Sequence, residues 1–237
     1  MDVASPAGRY AEIERRIQAA CDRAGRSRAS VRLVGASKRQ PLEALAAAYA
    51  FGLRSFGENR VQEAVAKAPL LPPDIEWHLL GPLQSNKVRK AVALFHVVHA
   101  IDRPAIAFEL DQEAARQGRS LSGLIEVNLG AEESKHGFAV EDLAADLQML
   151  APLAVLEHLK IGGLMAIPPP GDSAEDSRPH FRRLARLRDA LAERPEWRAR
   201  DFAGELSMGM SDDFEVAIEE GATHVRIGSA LFGERPA

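Results

Sequence analysis

The sequence predicts a single α/β domain, a closed (β/α)8 barrel with an extra helix ahead of the first strand. Three observations predict it. Eight short, mostly apolar or β-branched runs follow one another, several without alternation, as strands buried on both faces of a parallel sheet require. Stretches of helical periodicity separate them. No low-complexity linker or fixed-period repeat divides the 237 residues, and a hydrophobic content of 46% suffices for one large core. Such alternation fits a closed barrel or a doubly wound open sheet. The barrel is preferred: too few residues follow the eighth run for a full helix, and an N-terminal helix can fill that gap in the outer ring. The expected domain is residues 1–237, with 1–30 supplying the packing helix.

Taken in order, Ile13, Ile17, Ala20 and Ala24 mark the first helix. Val31–Ser37 is the first strand and runs directly into Lys38. Pro41 suits the first turn of the next helix, where its missing N–H is not needed. Further strands are expected at Ser55–Gly57, Ile75–Leu80, Val97–Ala100, Leu124–Asn128, Ile161–Met165, Gly204–Ser207 and Thr223–Ile227. Val140, Leu143, Leu147 and Leu150 place an apolar stripe on one helix, and Phe181, Leu184, Leu187 and Leu191 on another. Asp212 with Glu215 resembles a capping box opening the helix after the seventh strand. Pro72-Pro73 and Pro168-Pro169-Pro170-Gly171 read as loops.

A net charge of −4 supplies no global positive field for a nucleic acid, and 5% aromatics no stacking platform. The one cysteine, Cys21, builds neither a disulfide framework nor a zinc cluster. The N-terminus has no apolar core of a secretory signal, and the apolar runs are too short to span a membrane. A cytoplasmic protein is expected. Among the seven histidines no pair shows convincing metal-ligand spacing, so no metal is expected. His96 and His99 flank a strand and read as packing or hydrogen-bonding residues; a structural role also leads for His78, with a place in the site wall as the alternative. Lys87, Arg89 and Lys90 read as a solvated helix face, and Asp212 and Asp213 as first-turn helix charges.

Lys38 stands at the C-terminal end of the first strand, the catalytic face of a barrel. On position alone a solvated lysine is the commoner case. Against apolar walls its amine would be neutral more often, and a neutral amine forms imines with carbonyls. Late in the chain, Glu205–Asp213 and Val225–Ala230 each follow an expected strand and open a helix or helical turn. Barrels frequently bind phosphate with the loops after strands seven and eight. Ser207, Gly209, Gly228 and Ser229 supply small residues, hydroxyls and exposed N–H groups. In a closed barrel the eighth strand lies beside the first, so these loops would face Lys38. Arg226, two residues before Gly228, would point into the lumen and needs a partner there: an acid, a ligand ring or a phosphate. Asn59 reads on its own as a helix cap.

Together these features resemble the pyridoxal phosphate homeostasis protein family, itself similar to the N-terminal barrel of alanine racemase. The resemblance is carried by Leu33–Lys38, Phe56–Glu63, Trp77–Lys87, Val127-Asn128, Lys135 to Phe138, Gly163–Met165, Leu206–Phe214 and Arg226–Gly233. It implies pyridoxal 5'-phosphate as cofactor, held as a Schiff base on Lys38. Asn59 would lie close to it, Ser207, Gly228 and Ser229 would bind its phosphate, Arg226 would partner the pyridine nitrogen, and Met208 would line the site. The family implies a role in vitamin B6 homeostasis, holding or supplying the cofactor, with apo pyridoxal enzymes as partners and no catalytic residues of its own. An always-charged arginine at the ring nitrogen weakens the electron sink, though alanine racemases share that feature. Racemases also take a tyrosine from a second domain of the partner subunit. This chain ends about where the barrel does and has only Tyr10 and Tyr49, both on expected outer helices. Negligible racemase activity and a monomer are therefore expected. The alternatives are a racemase-like enzyme and a Schiff-base aldolase acting on sugar phosphates.

Overall fold

The computed structural model describes residues 5–130, 137–140 and 142–233. Eight parallel strands form the barrel: β1 (Arg32–Ala36), β2 (Ser55–Glu58), β3 (Glu76–Leu79), β4 (Val97–Ile101), β5 (Leu121–Asn128), β6 (Leu159–Met165), β7 (Glu205–Ser207) and β8 (His224–Ile227). Each pairs with its sequence neighbour, and β8 pairs with β1, so the sheet closes on itself. Phe138–Ala139 adds a short parallel ladder on the end of β5.

The helices are α1 (Pro6–Arg23), α2 (Leu42–Ala50), α3 (Val61–Lys67), α4 (Val88–Leu94), α5 (Pro104–Arg116), α6 (Leu143–Leu150), α7 (Arg178–Glu193), α8 (Pro195–Arg198), α9 (Phe214–Glu219) and α10 (Ser229–Phe232). As expected, Ile13, Ile17 and Ala20 of α1 are buried, and so are Phe181, Leu184, Leu187 and Leu191 of α7. Ser5 caps α1, accepting from the Gly8 N–H, and Pro6 fills its first position. The last helix is a single turn, and α1 closes the ring beside it: Arg9 donates to the carbonyls of Leu231 (3.1 Å) and Phe232 (3.3 Å).

Several expectations shift. Val140 is buried but precedes α6, because Asp142 is the cap, accepting from the N–H groups of Ala144 and Ala145. The side chain of Leu143, and Lys135 in the resemblance, lie outside the described residues. The capping box at Asp212 does not form. The N-cap position of α9 is Asp213, whose carboxylate instead accepts from the Met210 N–H (2.7 Å) and the Ser177 hydroxyl (2.8 Å). Glu215 pairs with Arg16 of α1.

Helix α9 follows the loop after β7. Glu219 and Glu220 close it, where the helix dipole disfavours acids. Arg178, at the start of α7, offsets this by bonding Glu175, Glu219 and Glu220 together, which raises its pKa.

Candidate functional site

Pleat alternation puts Arg32, Val34 and Ala36 of β1 on the lumen side, and Lys38 continues that phase two residues beyond the strand. Lys38 is half-buried, in a turn where Arg39 takes φ +61°. With Arg39, Asn59, Arg60 and Glu63 it lines a rim depression of about 460 Å³. A cleft of about 760 Å³ beside it shares Asn59, Arg60 and Glu63 and adds Gln84, Lys87 and Arg103. Asn59 is half-buried, just past β2, and does not cap α3: the cap position is Arg60, with no side-chain bond. Its backbone is set by Gly81, where a Cβ would fall 2.5 Å from the Asn59 carbonyl oxygen.

A buried ion pair supports the turn from outside the barrel. Lys67 donates to the Ser37 carbonyl (2.9 Å) and to Glu58 (2.7 Å), and the Ser37 hydroxyl donates to the same carboxylate (2.8 Å). Burial raises the Glu58 pKa against these donors. The sequence reading missed this pair.

Across the β1–β8 seam, Gly35 lies beside Ile227, which brings Ala36 next to Gly228. A Cβ on Gly228 would meet the Ala36 carbonyl oxygen at 3.5 Å. Ser229 is exposed at the start of α10, and the Ser211 hydroxyl bridges its hydroxyl (3.2 Å) and the Ala230 N–H (3.3 Å). The loops after β7 and β8 thus meet beside the strand that leads to Lys38.

Beneath the rim the lumen is half polar. Arg226 donates to the Ser207 hydroxyl (2.5 Å) and to the Ala166 carbonyl (3.0 Å). Both acceptors are neutral, and no carboxylate lies in salt-bridge range of it among the described residues. Burial pushes its pKa down to about 10, partly offset by the more distant Asp213 and Glu126, so it is charged at neutral pH. The Ser207 hydroxyl also lies 2.8 Å from His99 Nδ1, and His99 Nε2 lies 2.8 Å from His78 Nδ1. The His224 ring packs edge-on against His99. Burial holds all three histidines neutral, His224 down to about 3. Val97, Ala100, Leu124 and Met165 form a small apolar cluster of their own.

The Ser207 hydroxyl is fully buried and bonded to Arg226 and His99. Met208 is fully buried in the core outside the sheet, because alternation turns it away from the lumen, so its side chain lines no part of the rim. His99 sits inside β4, not at its edge. Strand parity was the available signal: His78 shares it with Glu76, and His224 with Arg226. Tyr49 bonds Asp74 ahead of β3, at the opposite end of the barrel from Lys38. Among the described residues no helix is long and apolar enough to cross a membrane.

The arrangement offers an amine, a glycine-serine turn with helix-start N–H groups, and a buried donor-only cation on adjacent strands. An aldehyde bearing a phosphate and a ring acceptor fits that set.

Comparison with known proteins agrees. Residues 9–236 match the alanine racemase N-terminal domain. A curated relative from Aquifex aeolicus, named pyridoxal phosphate homeostasis protein, is 45% identical over 229 residues, covering 96% of this chain and 97% of its own. The Escherichia coli protein of that name is 39% identical, covering 95% and 94%. The structure of PipY from Synechococcus elongatus, described as having PLP bound, superposes with a TM-score of 0.78 at 40% identity, covering 97% of this chain and 100% of that one. Alanine racemase from Clostridium difficile shares the fold alone, at 14% identity and a TM-score of 0.68, with 56% of its length covered. On its fold, its rim and these full-length relatives, the chain belongs to the pyridoxal phosphate homeostasis protein family.

Proposed function

We propose that this barrel binds pyridoxal 5'-phosphate through a Schiff base on Lys38 and serves to hold and supply it inside the cytoplasm, acting as one domain and as a monomer. The observation that carries this reading is the β1–β8 seam, which sets the lysine turn beside the Gly228-Ser229 turn with Arg226 below both. When bound, the cofactor supplies an aldehyde that condenses with an amine and releases water. The chain's own residues do the rest. The backbone around Gly228 and Ser229 binds the phosphate, with Ser211 bringing the two loops together. Asn59 borders the ring, and Arg226 donates to the ring nitrogen, leaving it unprotonated.

The names of the curated relatives and the PLP-bound PipY support this function. Delivery to apo pyridoxal enzymes, with negligible turnover, fits a chain whose two tyrosines stand away from the rim on outer helices, Tyr10 on α1 and Tyr49 on α2. The test is borohydride reduction of protein loaded with pyridoxal phosphate, followed by peptide mass spectrometry. A pyridoxyl adduct on Lys38, with its near-visible absorbance lost in Lys38→Ala, is expected. An adduct mapping elsewhere refutes the site. Alanine racemization lost in Lys38→Ala refutes the non-enzymatic role, and an apo enzyme reactivated no faster than by free release refutes delivery.

A further inference from the structure

The lumen holds a continuous line of hydrogen-bonding groups. From the rim downward it runs Arg226 Nη1, Ser207 Oγ at 2.5 Å, His99 Nδ1 at 2.8 Å from that oxygen, and His99 Nε2 to His78 Nδ1 at 2.8 Å; His78 Nε2 then faces Glu76 Oε2 across 3.6 Å, a contact too long for a hydrogen bond. Every member but Glu76 is buried. Glu76 is half-buried at the far end, paired with Arg32 and accepting from the Ser55 hydroxyl at 3.2 Å.

Elementary chemistry gives this line a direction. A guanidinium only donates, so Ser207 accepts from Arg226 and its own proton is free to go to His99 Nδ1. Neutral His99 then carries its proton on Nε2 and donates to His78 Nδ1. Neutral His78 in turn carries its proton on Nε2, aimed at the Glu76 carboxylate. The reverse order would make Ser207 accept twice and leave its hydroxyl proton without an acceptor in the line. It would also leave a bare His78 nitrogen lone pair facing a carboxylate. The neighbouring charges favour the same order. Burial and Arg32 disfavour an added proton on both histidines, Arg226 and the adjacent His224 ring do so at His99, and Glu76 is held ionised, with a pKa of about 2.

We propose that Ser207, His99 and His78 form a one-way hydrogen-bond chain, with the Glu76 carboxylate facing its far end, that holds the Arg226 guanidinium in place as a donor at the cofactor ring, with His78 and His99 as positioning residues. Its effect on the cofactor rests on the function proposed above; its direction does not. Each link polarises the next, so the buried cation at one end and the carboxylate at the other are coupled through neutral groups. A change at the far end of the lumen is then read at the rim.

The direction is tested on cofactor-free protein labelled with nitrogen-15 histidine. Long-range proton–nitrogen spectra at pH 7 are expected to show His78 and His99 both as Nε2–H tautomers. An Nδ1–H tautomer at either residue overturns the chain whether or not pyridoxal phosphate binds. The positioning role is tested on loaded protein. Glu76→Gln lets the terminal group donate as well as accept, so it is expected to shift the absorbance maximum of the bound cofactor and to speed its release about tenfold, while Tyr49→Phe at the same end changes neither. His99→Phe is expected to do the same as Glu76→Gln. His99→Gln keeps an acceptor and a donor and is expected to stay within about twofold of wild type. Unchanged spectra and release in both Glu76→Gln and His99→Phe overturn the positioning role. A wild-type chain with both Nε2–H tautomers but no adduct on Lys38 leaves the direction standing and refutes the function.

Discussion

Lowering the pH from 7.5 to 5.0 is expected to destabilise this protein through its lumen. His224 is 3% exposed, and burial, with the neighbouring His78 and Arg32, holds its pKa at about 3, below the ordinary 6.5 of an unfolded chain. On acidification the unfolded chain therefore takes the proton first, and stability falls as pH drops below about 6.5, with the loss complete only near pH 3. At pH 5.0 the span from 6.5 is worth about 2 kcal/mol for this one side chain. His78 and His99 are shifted downward too, chiefly by burial, and add to the loss. Glu58 and Glu205 act in the other direction: burial raises their pKa values, so the folded state protonates them first and recovers some stability as pH falls toward theirs. Glu76, held at about 2, contributes only at lower pH. Against a typical total of about 5–15 kcal/mol, the net loss is large. Urea unfolding at half-unit pH steps measures it, and His224→Gln should remove about one proton from the slope. A stability that is flat between pH 7.5 and 5.0 would refute the claim that the lumen imidazoles are buried and neutral.

Three further outcomes follow from named contacts. Lys67→Met strips the buried Glu58 of its cation and should cost about 3–5 kcal/mol in urea unfolding, much of it recovered when Glu58→Gln is added. Gly81→Ala drives a methyl to 2.5 Å from the Asn59 carbonyl oxygen, so titration of pyridoxal phosphate should weaken by about tenfold or more, while the melting temperature falls only modestly. Arg178→Ala removes the cation that joins Glu219 and Glu220 at the end of α9 and leaves them only Arg23 and Arg182 as partners. It should cost about 1–2 kcal/mol in thermal unfolding, less in high salt because the partners are partly solvated.

Much of the barrel was legible because its strands are short apolar runs that a helix could not use. The edges were less so. β5 begins at Leu121, three residues before the apolar run expected from Leu124. In the fold a Cβ on Gly123 would fall 2.5 Å from the end of the Ile101 side chain, which would have to shift to admit it. The lysine turn and the glycine-serine turn were readable from position and residue type. The lumen chain was not. Parity along β3, β4 and β8 shows which residues point inward, but the stagger between strands decides which of them share a level. The Glu58–Lys67 pair was hidden for a similar reason: nine positions apart, the two meet only once α3 folds back onto β2.

The seam between β1 and β8 carries a kinetic implication. The lysine turn and the glycine-serine turn are separated by most of the polypeptide, so no fragment made early in translation can assemble both halves of the binding rim. Ligand capture must wait until the eighth strand has been synthesised and has docked against the first. Loop closures of that span are slow to form. Acquisition of the ligand's colour during refolding would therefore report the final closure of the ring, not the collapse that precedes it.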